Sequence, residues 1–150
     1  MRRRAGALWL VLFAVYAATL GLDAFGTSDY GGDEPHYLLT AKSLVDDGSV
    51  DLLDEYRERS YRSFYPRTLD PHGVLTEGRL NEPHGIGFPL LIAPAYAIGG
   101  ATAVELWLAA LAALGFVAAA ALARRLVPDP WASAATAAST IATSVGPPSA

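Results

Sequence analysis

Long apolar blocks separated by one polar stretch are the dominant pattern of this chain. No charged residue occurs over 18 residues from Ala5 to Leu22, over 18 from Leu106 to Ala123, or over the 20 from Trp131 to Ala150. A helix rises about 1.5 Å per residue, so roughly 20 apolar residues cross a hydrocarbon core ~30 Å thick. The pattern predicts an all-α membrane protein with three transmembrane helices and one outer loop that carries amphipathic juxtamembrane helices.

Basic residues set the predicted orientation of these helices. Arg2, Arg3 and Arg4 precede the first apolar block, and Arg124-Arg125 close the second. Positively charged residues favour the cytoplasmic side, so both clusters are expected inside a plasma membrane that the chain crosses several times. The predicted domains are a cytoplasmic N-terminus with the first transmembrane helix at 1–25, an extracytoplasmic loop at 26–100, and transmembrane helices at 101–125 and 131–150.

Two surface helices are expected within the outer loop. Asp33 is a suitable N-cap and Pro35 fits the first turn of a helix at about 34–47, with Tyr37 and Leu44 facing the membrane. The second helix, at about 86–98, is apolar but contains prolines and is followed by a pair of glycines. We interpret it as interfacial, and a membrane span remains the alternative because membrane helices tolerate proline.

Composition restricts the chemistry and the partners of the outer loop. The chain has no cysteine, so it offers neither disulfides nor thiol chemistry. Residues 23–82 carry 13 acidic and 6 basic side chains, which gives no electrostatic reason to bind nucleic acid. The expected partners are membrane lipids and further transmembrane helices, because the alanine-rich blocks allow close helix packing.

Candidate site residues occur at both ends of the loop and in its middle. Asp33 and Glu34 head the first surface helix, while Glu82 and His84 lie in the turn before the second. The tripeptide Glu-Pro-His occurs in both places, so the fold could bring carboxylates and imidazoles together.

In the middle of the loop, arginines alternate with aromatic residues. Arg62 and Tyr65 are the candidate substrate-binding residues of this stretch, because arginine with an aromatic ring can bind phosphate and sugar-like surfaces. The alternative is an ordinary solvated stretch whose aromatic side chains pack at the lipid interface.

Together these features resemble the N-terminal part of the polytopic GT-C fold glycosyltransferases, such as the protein O-mannosyltransferases and the aminoarabinose transferases of lipid A modification. The shared features are an N-terminal membrane anchor, the Asp33-Glu34 pair, an acidic residue before a Pro/Gly turn, and an apolar segment that ends in Ala-Arg-Arg-Leu. The resemblance covers about residues 5–145, which is only the beginning of such an enzyme.

The resemblance implies a glycosyltransferase that moves a sugar from a polyprenyl-phosphate donor to an extracytoplasmic acceptor. Asp33 and Glu34 would be catalytic, with Asp33 taking the proton of the acceptor hydroxyl. Glu82 and His84 would bind substrate or a divalent metal ion, and no other cofactor is implied. The turn reads Glu-Pro-His-Gly instead of the family's Glu-Lys-Pro-Pro or His-Pro-Pro, which leaves the roles of Glu82 and His84 open.

A second interpretation is a small membrane protein whose outer loop binds a metal ion or a partner without catalysis. His36, His72 and His84 each follow a proline and occur among many carboxylates, and such residues can bind zinc. The chain also ends inside an apolar run, and it is rich in alanine and arginine with a single lysine. We therefore expect a fragment of a longer bacterial protein, inactive alone, with an incomplete third helix.

Overall fold

The computed structural model describes residues 2–22 and 30–126. The helices and strands are, in chain order, α1 (Arg2–Ala17), α2 (Glu34–Asp46), α3 (Leu53–Glu58), a 3-10 helix (Ser60–Ser63), β1 (Val74–Thr76), β2 (Arg79–Asn81) and α4 (Gly87–Leu126). The chain divides into two compact units, which are Met1–Ala18 with Leu108–Ala150, called unit 1, and Thr19–Trp107, called unit 2.

The expectation of three transmembrane helices is wrong. Within residues 2–22 and 30–126, α4 is the one helix long and apolar enough to cross a membrane. Helix α1 has 16 residues, so it is about 24 Å long and shorter than a hydrocarbon core. It stops before the end of its apolar run, ahead of a turn in which Gly21 adopts a left-handed φ of 74°. The helix expected at 131–150 lies outside the described residues.

Unit 1 joins α1 to the second half of α4. Ala113 is fully buried, and the indole Nε1 of Trp9 donates a hydrogen bond to the carbonyl oxygen of Ala110 at 3.1 Å. The rings of Tyr16 and Phe116 stack with their centroids 6.1 Å apart. These contacts join α1 to the second half of α4.

Helix α4 consists of two helical segments that meet at Gly99-Gly100. Gly99 has φ −162° and ψ 30°, and Gly100 has φ 64° and ψ −151°. The Gly100 conformation is open almost only to glycine, because a Cβ atom would clash with the backbone. The break therefore separates the apolar segment before residue 99 from the alanine-rich segment after residue 100.

The expectation of an all-α fold is also wrong, because β1 and β2 form an antiparallel hairpin. Val74 pairs with Asn81 and Thr76 with Arg79. The two turn residues, Glu77 and Gly78, both have positive φ, at 52° and 80°, as a two-residue type I′ turn requires. Strands of three residues are too short to give a recognisable alternation of polar and apolar positions.

Helix α2 buries polar side chains together with apolar ones. Leu39 is completely buried in the core of unit 2, and the buried His36, Thr40 and Ser43 lie at helical spacing around it. The Thr40 hydroxyl donates to the His36 carbonyl oxygen at 2.9 Å, and the Ser43 hydroxyl to the carbonyl oxygen of Ser49 at 3.2 Å. These hydrogen bonds replace the contacts with water that the two hydroxyls lose on burial. The buried face of α2 can therefore be polar, and it includes the His36 imidazole.

Asp51 holds the hairpin against the start of α3. Its Oδ1 accepts hydrogen bonds from the backbone nitrogens of Leu53 at 3.2 Å and Leu80 at 2.8 Å. The backbone nitrogen of Leu52 donates in turn to the carbonyl oxygen of Leu80 at 2.8 Å. Strand β2, and with it Glu82 just beyond its end, is therefore fixed beside α3.

Gly73 provides a test of this arrangement. A Cβ atom at Gly73 would lie 2.1 Å from the carbonyl oxygen of Asn81, so Gly73→Ala must push the two backbones apart. We expect a loss of about 1–3 kcal/mol in the free energy of unfolding, measured by thermal unfolding in detergent. Gly85→Ala is the control, since no described atom lies within 4 Å of its new Cβ. Equal stability of the two variants would contradict the hairpin geometry.

Candidate functional site

Five side chains from three separate segments of unit 2 meet and form a group that we call the histidine–carboxylate cluster. They are Asp33 and His36 from the start of α2, His72 from the loop before β1, and Glu82 and His84 from the turn before α4. Oxygen or nitrogen atoms of Asp33, His72 and His84 lie within 4.8 Å of one another, and so do those of His36, His72 and Glu82. His72 belongs to both sets and connects them.

Asp33 occupies the N-cap position of α2, but its side chain caps no backbone group of the described chain. The carboxylate faces two imidazoles instead. Its Oδ2 lies 3.2 Å from Nε2 of His84, and its Oδ1 lies 3.6 Å from Nδ1 of His72. The side chain is 52% exposed, so the carboxylate is held by the cluster and still reachable from solvent.

The inner part of the cluster is a buried hydrogen-bond network. The Tyr56 hydroxyl donates to Oε1 of Glu82 in a short contact. Nδ1 of His36 lies 2.6 Å from the Tyr56 oxygen and 3.2 Å from the same Glu82 oxygen. The side chains of His36 and Glu82 are only 2% and 4% exposed. The polar contact that joins α2, α3 and the turn after β2 is therefore buried.

Burial shifts the pKa values of two groups in this network. It raises the pKa of the Tyr56 hydroxyl, and the adjacent Glu82 carboxylate raises it further, so Tyr56 stays a donor. Burial also lowers the pKa of His36 below its usual 6.5, and the neighbouring His72 lowers it further. The Glu82 carboxylate acts in the opposite direction and raises this pKa, but its effect is smaller than that of burial. His36 is therefore neutral at pH 7, and protonating it below pH 6.5 would destabilise the folded state.

Aromatic contacts orient the other two histidines. The His72 ring lies against the His36 ring, with their centroids 3.9 Å apart and the ring planes 32° apart. Tyr37 meets the edge of the His84 ring at 5.2 Å and packs on Phe88 at 5.0 Å. Helix α2 thus carries His36 itself, and its His36 and Tyr37 rings orient His72 and His84 by packing against them.

Two buried atoms of the cluster find no hydrogen-bond partner among the described residues. They are Oε2 of Glu82 and Nδ1 of His84. An unsatisfied buried polar atom costs about 1–3 kcal/mol, and folded proteins contain few of them. A metal ion or a hydroxyl-bearing ligand could satisfy them, so these atoms make the cluster a candidate ligand site.

Imidazole nitrogens together with carboxylate oxygens are the donor set of zinc and other first-row divalent ions. The set of His36, His72 and Glu82 contains one of the two unsatisfied atoms, and its His36 is buried. The set of Asp33, His72 and His84 is more open. The residues present therefore fit a divalent metal ion, with the inner set as the more enclosed position.

Three of the six site residues predicted from the sequence lie in the cluster. They are Asp33, Glu82 and His84, and the structure brings them together from positions about fifty residues apart. The chemical roles of these residues remain predictions.

The other three predicted residues are placed differently. Glu34 turns back, and its Oε2 accepts a hydrogen bond from the backbone nitrogen of Gly31 at 3.0 Å. Arg62 is exposed on the 3-10 helix. Tyr65 is half-buried and packs on the core formed by Leu39, Tyr61 and Leu69.

Sequence reasoning named His36 and His72 only in the alternative metal-binding interpretation, and it did not name Tyr56 as a site residue. The signal for the histidines was that all three in the chain directly follow a proline. Proline restricts its own backbone and that of the preceding residue, and so favours a defined position for the next side chain. No comparable signal identified Tyr56, whose partner Glu82 lies 26 residues further along the chain.

Comparison with known proteins adds no family to this description. A scan against protein-family models, a search of curated proteins and a search of solved structures each gave no match to the chain.

Proposed function

We propose that this chain carries the outer-face site of a membrane glycosyltransferase, which transfers a sugar from a polyprenyl-phosphate donor to an acceptor hydroxyl. One observation carries the proposal: the carboxylate of Asp33 is half exposed, takes no part in capping α2, and faces His84 and His72. A carboxylate that is both oriented and accessible suits a general base.

The chemistry follows from the position of Asp33. The acceptor hydroxyl loses its proton to the Asp33 carboxylate while its oxygen attacks the anomeric carbon. The bond between that carbon and the donor phosphate oxygen breaks, and the lipid phosphate leaves with the electron pair. Nε2 of His84 lies 3.2 Å from Oδ2 and restricts rotation of the carboxylate. The carboxylate lone pairs that His84 does not contact remain available to the acceptor hydroxyl.

Negative charge must be stabilised on the departing phosphate. A divalent ion held by His36, His72 and Glu82 would supply that positive charge when bound. Burial keeps His36 neutral, so that ring remains a competent ligand. Asp33 belongs to the other set and stays available as the base.

The location of the site relative to the membrane is part of the proposal. The described chain includes one candidate membrane-spanning helix, α4, which supports membrane association. Its last turn carries Arg124 and Arg125, and basic residues favour the cytoplasmic side. The turn before α4, which carries Glu82 and His84, would then lie on the extracytoplasmic side, where lipid-linked sugars and outer acceptors meet.

Asp33→Asn tests the proposed base. In membranes that contain the protein, transfer from a radiolabelled polyprenyl-phosphate sugar should fall by about a hundredfold or more, with membrane insertion intact. The control is Glu77→Gln, which neutralises an exposed carboxylate in the hairpin turn of the same unit. Near-normal transfer by Asp33→Asn would remove Asp33 from the role of base.

The unsatisfied atoms of Glu82 and His84 favour a second candidate function, in which unit 2 binds a transition metal without catalysis. Calorimetric titration of the purified chain with zinc should then show binding at micromolar ion. His72→Gln should weaken binding by about tenfold or more, because His72 belongs to both ligand sets, whereas Glu77→Gln should not. An absence of heat in the wild-type titration would eliminate the metal site.

A further inference from the structure

A second group of carboxylates occupies another part of unit 2, where the end of α2 meets α3. Asp47 directly follows α2, and Asp54 and Glu55 lie in the first turn of α3. Carboxylate oxygens of these three residues lie within 4.8 Å of one another. They line a cavity of about 210 Å³, whose other lining residues are Lys42, Asp46, Glu58 and Ser60.

Glu55 distinguishes this group from an ordinary acidic surface. The residue is only 5% exposed, and neither of its carboxylate oxygens finds a hydrogen-bond partner within the described part of the chain. An ionised carboxylate in such a position needs a positive charge beside it.

Lys42 does not supply that charge. Its ammonium forms an ion pair with Asp46, four residues further along α2. The hydroxyl of Ser43, the next residue on α2, donates to the backbone of Ser49. Of the described residues that line the cavity, five are acidic and one is basic, so the cavity keeps an excess of negative charge.

We propose that Asp47, Asp54 and Glu55 bind a calcium ion. The ligand atoms are all oxygens, which calcium and magnesium prefer and which distinguish this group from the histidine–carboxylate cluster. Calcium ligands lie about 2.3–2.6 Å from the ion, so two ligands of one ion are separated by up to about 5 Å. The three carboxylates lie within this limit. Calcium also accepts six to eight oxygen ligands in flexible geometry, whereas magnesium demands a nearly ideal octahedron.

Partial exposure of the site suits calcium as well. Asp47 and Asp54 are exposed, so the ion can enter from solvent and keep water molecules as its remaining ligands. A bound ion would connect the end of α2 to the start of α3. Since α3 also carries Tyr56, the ion would stabilise the helix that reaches the histidine–carboxylate cluster, without taking part in it.

Calorimetric titration of the full chain with calcium, after treatment with a chelator, tests this site. We expect one ion to bind, and we expect Asp54→Asn and Glu55→Gln each to weaken binding by about tenfold or more, because charge count sets calcium affinity. Asp54 is exposed, so its variant should fold even if Glu55→Gln does not. Glu77→Gln and Asp33→Asn are controls that should bind calcium like the wild type.

The outcomes separate this site from the proposed catalytic one. Loss of calcium binding in the Asp54 and Glu55 variants but not in Asp33→Asn supports the proposal, whatever the transfer assay shows. Absence of calcium binding to the wild-type chain would overturn it. Wild-type affinity in both the Asp54 and Glu55 variants, or tighter binding of magnesium than of calcium, would overturn it as well.

Discussion

The buried contact between Tyr56 and Glu82, with His36 against both, is the interaction on which the rest of unit 2 depends. It joins α2, α3 and the turn after β2, three segments that are separate in the sequence. A polar group of this kind is stable in a dry position only when each member finds a partner. The network therefore selects one arrangement of the three segments, and the neutral state of His36 follows from its burial.

The exposed half of the cluster is a consequence of that arrangement. Once His36 is fixed, its ring provides the surface on which His72 packs, and the turn that carries Glu82 also delivers His84 to Asp33. Asp33 is thereby drawn away from the capping role that its position would ordinarily give it. A carboxylate that does not cap its helix stabilises that helix less than a capping one would, and its oxygens are free to contact a substrate. Such a local cost is expected of a functional residue.

Local sequence signals predicted local structure and failed where structure depends on distant contacts. The helix after Asp33 follows from residue type and spacing, and the structure has it at Glu34–Asp46. The hairpin was missed because three-residue strands give no measurable period. The membrane count was wrong because an apolar composition does not determine helix length, and α1 ends at Ala17. The proximity of His72 to Asp33 depends on loop closure, which single-sequence reasoning does not resolve.

A double-mutant cycle on Tyr56→Phe and Glu82→Gln tests the central contact most directly. The free energy of unfolding would be measured for the wild type, both single variants and the double variant in detergent. If the two side chains share a buried hydrogen bond, the double variant should differ from the sum of the single variants by about 0.5–3 kcal/mol. Tyr56→Phe combined with Glu77→Gln should be additive. Additivity between Tyr56→Phe and Glu82→Gln would contradict the contact on which the cluster depends.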